Sequence, residues 1–188
     1  AHVHYNFTPQ TQLAAEYTFL NYLAKQAGGL TDSQFEENPA FSNRSRNWFQ
    51  VNWQLYALKF KHQFSSKTNF SFNLFGLNAQ RNAVGFRGNP ANLNASPITQ
   101  VDEQNAAGSF LNPRDIIKGF FKNAGAETRL LHRYKIYKRN SVFLVGAKYY
   151  HAQNTAVQGP GTRGSDANFN LAQSTFPDYA NQSNFEFP

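Results

Sequence analysis

Five arginines carry the clearest binding chemistry in the sequence: Arg44 and Arg46 in NRSRNWF, Arg81 and Arg87 in QRNAVGFR, and Arg114 in NPRDIIKGF. A guanidinium is planar and always charged, and it grips a carboxylate or phosphate through two parallel N–H bonds. The first pair is spaced i, i+2 and the second i, i+6, so each pair falls on one face of an extended strand. Gln80 and Asn82 would add neutral donors beside them. The plainer alternative is that these are loop arginines that meet surface phosphates or pair with Asp32, Glu36 and Glu37. Arg114 stands apart, because the RDIIKGF run that follows the proline reads as a short helix or a loop packing element.

Catalytic constellations are absent from the sequence, and no enzyme activity is expected. There is no GxSxG, no phosphate-binding GxxxxGK[ST] and no HExxH. GPGTRG at 159–164 is glycine-rich but lacks the lysine and the following helix that cradle phosphate, so a mobile loop is expected there. Glu127 and His132 are five apart, which on a strand places them on opposite faces. His2 and His4 could share a strand edge around a metal, but ordinary strand histidines explain them as well, and no metal site is expected. With no cysteine, disulfides, thiolate catalysis and cysteine-bound metals are all excluded.

The elements that must position these arginines are strands. Alternation of apolar and polar residues dominates over helical periodicity. Six strands are expected, at about 2–8, 11–24, 47–64, 69–82, 123–137 and 141–153. Tight polar turns separate them in pairs at Thr8-Pro9-Gln10, Ser65-Ser66-Lys67-Thr68 and Lys138-Arg139-Asn140. Long connections run from 25 to 46, from 83 to 122 and from 154 onward. Of the acidic residues, only Glu16 and Glu127 fall inside the expected strands. Tight turns alternating with long loops is the rhythm of an outer-membrane barrel. A soluble sandwich would show turns every 8–12 residues or so.

The third and fourth strands carry a further signal. In NWFQVNWQLYALKFKHQF the apolar residues sit at odd positions through Leu55 and at even positions from Tyr56, facing Lys59 and Lys61. In NFSFNLFGLNAQR, Phe70, Phe72 and Leu74 give way to Phe75, Leu77 and Ala79. Both switches lie roughly nine residues from the intervening turn. At about 3.3 Å per residue and a tilt of about 40°, nine residues climb about 23 Å, close to the height of a lipid-facing apolar band. A pair of β-bulges in a soluble sheet is the competing explanation. Tyr17, Phe19, Tyr22, Trp53, Tyr56, Tyr149 and Tyr150 are expected in girdle or packing roles.

The bulk properties fit either class. The chain has 188 residues and a formal charge of +7, with a pI near 9.7 and mean hydropathy −0.60. An anionic partner is therefore worth testing. No apolar run approaches the roughly 18 residues of a transmembrane helix, but a membrane strand shows lipid only every second side chain. Aromatic residues make up 16% of the chain, which suits strands and interface girdles. A basic β-surface for RNA would need aromatics beside cations on one face. In AETRLLHRYKIY, Tyr134 and Ile136 instead alternate with Arg133 and Lys135, which speaks against nucleic acid. Leu130, Tyr134 and Ile136 are expected on the lipid side and Arg129, Arg133 and Lys135 on the lumen side, with His132 the awkward residue among the apolar ones. The start, AHVHYNFTPQ, lacks the basic and apolar regions of a signal peptide.

Several stretches carry a family resemblance: LTDSQFEENP, NRSRNWFQVNWQLYALKFKHQF, NLFGLNAQRNAVGFR, RDIIKGFFKNAGAETRLLHRYKI and SVFLVGAKYYHAQNTAVQGPGTRGSDANFN. The chain resembles the TonB-dependent outer-membrane receptors of the ferric-dicitrate type, of the kind found in Bacteroidetes-like bacteria. That resemblance implies an all-β fold: an antiparallel transmembrane β-barrel fragment, about six strands of a 22-stranded barrel. Residues 1–188 would be part of one barrel domain, with the plug domain and TonB box outside it. Six strands cannot close a barrel whose smallest single-chain form has eight, so an interior piece of a longer protein is expected.

The resemblance also implies the activity. A ferric chelate, iron(III) dicitrate or a similar siderophore, would be bound at the extracellular loops by residues such as Arg44, Arg46, Arg81, Arg87 and Arg114. It would then be imported with energy from the TonB complex, with outer-membrane lipid and lipopolysaccharide as surroundings and no intrinsic cofactor. Lys59, Lys61, Arg133 and Lys135 would form a basic patch on the inner wall, pairing with acidic groups of the plug or guiding an anion. Uptake of a glycan or another siderophore is the alternative, kept open by aromatic residues around Phe41, Trp48 and Phe86.

Overall fold

A computed structural model describes residues 1–86, 100–172 and 182–183. The fold is all-β, a single antiparallel sheet with almost no helix. Its strands are β1 (His2–Thr8), β2 (Thr11–Lys25), β3 (Trp48–Ser65), β4 (Thr68–Gly85), β5 (Asp115–Ile136), β6 (Arg139–Pro160) and a short β7 (Gln182–Ser183). Neighbours in sequence are neighbours in the sheet throughout, so the topology is a plain meander. One short helix, α1 (Asp32–Glu37), lies in the connection between β2 and β3. Thr31 starts it with a capping box, its hydroxyl accepting from the Gln34 amide while the Gln34 side chain accepts from the Thr31 amide.

Four boundaries differ from the sequence expectation, the smallest being β4, which runs to Gly85 rather than 82. β5 begins at Asp115 rather than near 123, so RDIIKGF is largely strand and Asp115 joins Glu16 and Glu127 as a strand acid. The local pattern hides this, because Ile116, Phe120, Ile117 and Phe121 put apolar side chains in both registers. β4 supplies the missing template, pairing Val84 with Ile116 and Gly85 with Asp115. β6 runs to Pro160 rather than 153, which takes Gly159 and Pro160 out of the expected mobile loop. The third turn is Tyr137–Lys138, not Lys138–Arg139–Asn140. Both turn residues have positive φ, 46° and 74°, as a two-residue type I′ hairpin requires.

Pairing decides the question of the register switch. β3 and β4 pair without interruption from Trp48↔Val84 to Gln63↔Asn69, and the one irregularity lies at the turn. No bulge therefore reverses the side chains. On the turn side of the Tyr56↔Gly76 pair, one face carries Leu13, Leu58, Phe60, Phe72, Leu130 and Val145. The opposite face there carries Lys59, Lys61, Ser71, Asn73, Glu127 and Arg129. On the loop side the assignment inverts. The first face now shows Asn52, Gln54, Asn78, Gln80 and Lys122, and the second shows Trp53, Leu55, Leu77, Ala79 and Phe121. The inversion is clean on β3 and β4, while β2 keeps Phe19 and Leu23, and β5 keeps Phe120, on the first face above that level. At that level Phe75 and Tyr150 stack, with ring centroids 6.2 Å apart. They close over Gly125, where a Cβ would lie 2.5 Å from the Phe75 ring.

The turns descend across the sheet. Thr11, just after the first turn, is level with His62, and β3 continues to Ser65. Thr68, after the second turn, is level with His132, and β5 continues to Ile136. The steps are three and then four residues, about 23 Å of rise over four strand spacings totalling about 19 Å. The strands thus lean about 45–50° from the normal to a line through the turns, near the roughly 45° tilt of membrane-spanning strands.

Little of the sheet is buried. Val51, Ala79, Val84, Ile116 and Ala152 are the buried apolar side chains among the described residues. Val84 and Ile116 are cross-strand neighbours at the loop end, where the connections fold back onto the sheet. Long stretches of both faces lie open.

Candidate functional site

The loop end gathers three of the five arginines into one cluster. Arg46 closes the β2–β3 connection, and its guanidinium is fully buried. Its Nε and Nη2 donate to the two carboxylate oxygens of Asp102, a bidentate fork. Nη2 also donates to the Asn112 carbonyl at 3.0 Å, and Nη1 to the Arg163 carbonyl at 3.3 Å. The guanidinium carbon lies 4.1 Å from the centroid of the Phe110 ring. A single side chain thus ties together three segments that are far apart in sequence.

Arg114 does the same from the start of β5 and is also fully buried. Its Nε donates to the Thr162 carbonyl at 3.2 Å. Nη1 donates to the Asp166 carbonyl at 2.5 Å and to the Arg46 carbonyl at 3.4 Å, and Nη2 to the Thr162 hydroxyl at 3.0 Å and the Asp166 carboxylate at 3.2 Å. The Trp48 indole N–H donates to the Ser165 carbonyl at 2.8 Å. Gly161 packs on Ile116, and its amide donates to the Arg114 carbonyl. The 161–166 stretch is therefore built into this cluster, unlike the free loop expected for GPGTRG.

Arg44 is buried at the margin. Its Nη1 donates to the carbonyls of Asn43 at 2.9 Å and Gln100 at 3.0 Å, and its guanidinium lies 4.9 Å from the Phe86 ring. Burial pushes the Arg44 and Arg114 guanidinium groups below the ordinary arginine value. Asp102 opposes that shift at Arg44, and Asp166 leads the opposition at Arg114. Both stay charged at neutral pH, because arginine starts so high.

Arg81 is different. It lies exposed on β4, 5.5 Å from the Phe49 ring, and has no acidic partner among the described residues. It shares a sheet face with Val51, Trp53 and Ala79. Arg87 lies outside the described residues. The expected convergence of Arg44, Arg46, Arg81 and Arg87 is thus replaced by a buried trio of Arg44, Arg46 and Arg114, with Arg81 alone on the open wall. Gln80 and Asn82 do stand together, linked at 3.1 Å, with Asn82 donating on to Gln50 at 2.8 Å.

The sequence reading missed Asp102 and Asp166 as the partners of these arginines and named Asp32, Glu36 and Glu37 instead. Those three lie on α1 and make no ion pair with the arginines among the described residues. Only the tertiary path of the loops selects between the two sets. Of the expected aromatic loop tips, Trp48 and Phe86 are engaged in the cluster, and Phe41 remains exposed.

The basic face at the turn end resolves into paired and unpaired charges. Lys59 donates to both Glu16 oxygens at 2.7 Å, and Arg129 pairs with Glu127. Lys61, Arg133 and Lys135 have no acidic partner among the described residues. Lys61 and Arg129 flank Ser71 in a groove of about 450 Å³. His132, placed among apolar side chains, accepts or donates a hydrogen bond with the Thr68 hydroxyl at 2.9 Å. His62 makes the equivalent bond to Thr11 at the same distance. Each threonine is the first residue after a tight turn, so the motif repeats from one hairpin to the next.

Comparison with protein-family models and with characterised proteins finds no match to this chain.

Proposed function

We propose that this chain is part of the wall of an outer-membrane β-barrel, in a TonB-dependent receptor that imports a ferric chelate such as iron(III) dicitrate. The observation that carries the membrane part is the inversion of apolar and polar faces at one level on β3 and β4, which pair without a bulge. A soluble sheet gives no reason for both faces to change character at the same height. A bilayer does: below its edge the outward face meets acyl chains, and above it the outward face meets water while the inward face packs.

Two further features support this reading. Tyr17 and Tyr56 pair directly across strands with ring centroids 5.2 Å apart, and with Tyr149 they line the upper edge of the apolar band. Phe64, Tyr134 and the two threonine-bound histidines line its lower edge. Aromatic residues at both edges are what interface girdles require. The band runs from Tyr56 to Phe64 on β3 and from Tyr149 to Arg139 on β6. That is about 17–23 Å at a tilt of about 45–50°. In this orientation the tight turns face the periplasm and the arginine-latched loops face outward.

The choice of ligand rests on the sequence resemblance and on Arg81. Arg46 and Arg114 present no surface to a solute and Arg44 is buried, so contact with a carboxylate-rich chelate falls to Arg81, with Arg87 as the second candidate from the sequence. The test is ferric dicitrate binding to the full-length receptor by isothermal calorimetry, with Arg81→Ala and Arg87→Ala made singly. The expected result is a loss of roughly tenfold or more from at least one of them, the scale of one charge-assisted contact. Wild-type affinity in both variants would contradict the ligand assignment. The Tyr22, Phe49, Trp53 and Phe121 side chains on the same face as Arg81 favour a second reading, uptake of a glycan or another siderophore, and the same calorimetry with such ligands distinguishes it.

A further inference from the structure

We infer that the turn end of the sheet binds the phosphate groups of anionic phospholipids through Lys67, Lys138 and Arg139. The inference rests on the membrane reading above and names the lipid that the band's lower edge selects.

Lys67 lies in the β3–β4 turn, Lys138 in the β5–β6 turn, and Arg139 opens β6. The two strand acids nearest this end, Glu16 and Glu127, are already held by Lys59 and Arg129. None of the three turn-end cations has an acidic partner among the described residues.

Arg139 pairs with Ile136 and so shares the apolar face with Tyr134 and His132. Tyr137, at the tip beside Lys138, is 96% exposed. The cations therefore stand at the foot of an apolar face edged with aromatics. A phospholipid meets both features at once, its chains against the apolar face and its phosphate just beyond the edge. An acidic soluble protein would meet the cations but leave Tyr134 and Ile136 in water.

Lys67 accepts a backbone bond from Arg133 at 2.8 Å, which places it four to five residues above Lys138 along β5. With strands leaning about 45°, turns that step down the sheet in this way come to lie near one plane. The oblique line of turns is then parallel to the membrane surface, and its cations reach the same layer of phosphates. Each exposed cation near an anionic surface adds to binding, and salt weakens it.

The test uses the full-length protein in detergent, exchanged into nanodiscs of mixed phosphatidylglycerol and phosphatidylethanolamine. Native mass spectrometry then counts the lipids retained. Wild type is expected to enrich phosphatidylglycerol, and the K67Q/K138Q/R139Q variant to lose that enrichment by roughly tenfold. The charge-preserving K67R/K138R/R139K variant should keep it, which separates lost charge from a disturbed turn. If K67Q/K138Q/R139Q retains phosphatidylglycerol like wild type while both still require amphiphile to stay folded, the lipid site is wrong and the membrane wall stands. If wild type stays folded and monomeric without amphiphile, both ideas fall. An acidic protein that co-purifies with wild type and is lost from the variant, with lipid retention unchanged, also overturns the lipid site.

Discussion

The two ends of the sheet use cations in opposite ways. At the loop end Arg46 and Arg114 are fully buried, bidentate or multiply bonded, and matched to Asp102 and Asp166. At the turn end Lys61, Lys67, Arg133, Lys135, Lys138 and Arg139 are unmatched by acids among the described residues. Charge of one sign thus does structural work at one end and is left available at the other. The physical difference is solvent. A buried guanidinium must satisfy its donors inside the protein or forfeit its desolvation cost, whereas an exposed ammonium stays hydrated at no such cost.

This contrast predicts a graded response to substitution in the full-length protein. The largest effect is expected at the loop end. Arg46→Ala strands a nearly buried Asp102 carboxylate and should cost about 3–5 kcal/mol. The loss should show in denaturant unfolding and as faster amide exchange across 100–112. If Arg46→Ala unfolds like wild type, the latch is not holding the loops. Next is Gly28, whose φ is +80° and where a Cβ would sit 2.6 Å from Arg44 Cγ. Gly28→Ala should cost about 1–3 kcal/mol from strain and crowding, read as a lowered unfolding midpoint.

At the turn end the effects shrink, and one changes sign. Lys138 holds a φ of 74° that glycine adopts freely, so Lys138→Gly should stabilise the hairpin by up to about 1 kcal/mol. A lowered midpoint there would argue against the type I′ geometry. The smallest change is expected at the exposed pair Lys59–Glu16. Lys59→Ala should cost about 0.2–1 kcal/mol, less at high salt. A cost matching that of Arg46→Ala would erase the distinction between the ends.

Much of the sheet was legible in the sequence because strands write themselves in alternation. The first four strands, two of three turns and the face inversion at Leu55–Tyr56 all follow from counting apolar side chains by twos. What stayed hidden lacked that signature. The first third of β5 carries isoleucine and phenylalanine in both registers, so only its pairing with β4 reveals it as strand. The Tyr137–Lys138 turn contains neither glycine nor asparagine, the usual marks of positive φ. His132 looked misplaced because its partner Thr68 sits sixty-four residues away. The arginine latch was the hardest to read. Arg46 and Asp102 are fifty-six residues apart across irregular backbone, and nothing local distinguishes Asp102 from Asp32 or Glu36 as the partner.

The inversion of faces is the feature on which the membrane account depends, and the absence of cysteine in these 188 residues makes it directly measurable. Single cysteines placed in the full-length protein along β3 and β4, spin-labelled and reconstituted in liposomes, report oxygen against water-soluble nickel accessibility. On the turn side, labels at Leu58, Phe60 and Phe72 should favour oxygen and those at Lys61 and Ser71 should not. On the loop side, labels at Asn52, Gln54 and Asn78, on that same outer face, should favour nickel. A change of preference at the Tyr56–Gly76 level is the expected result. Equal nickel accessibility on both sides of that level would contradict a sheet that crosses a bilayer.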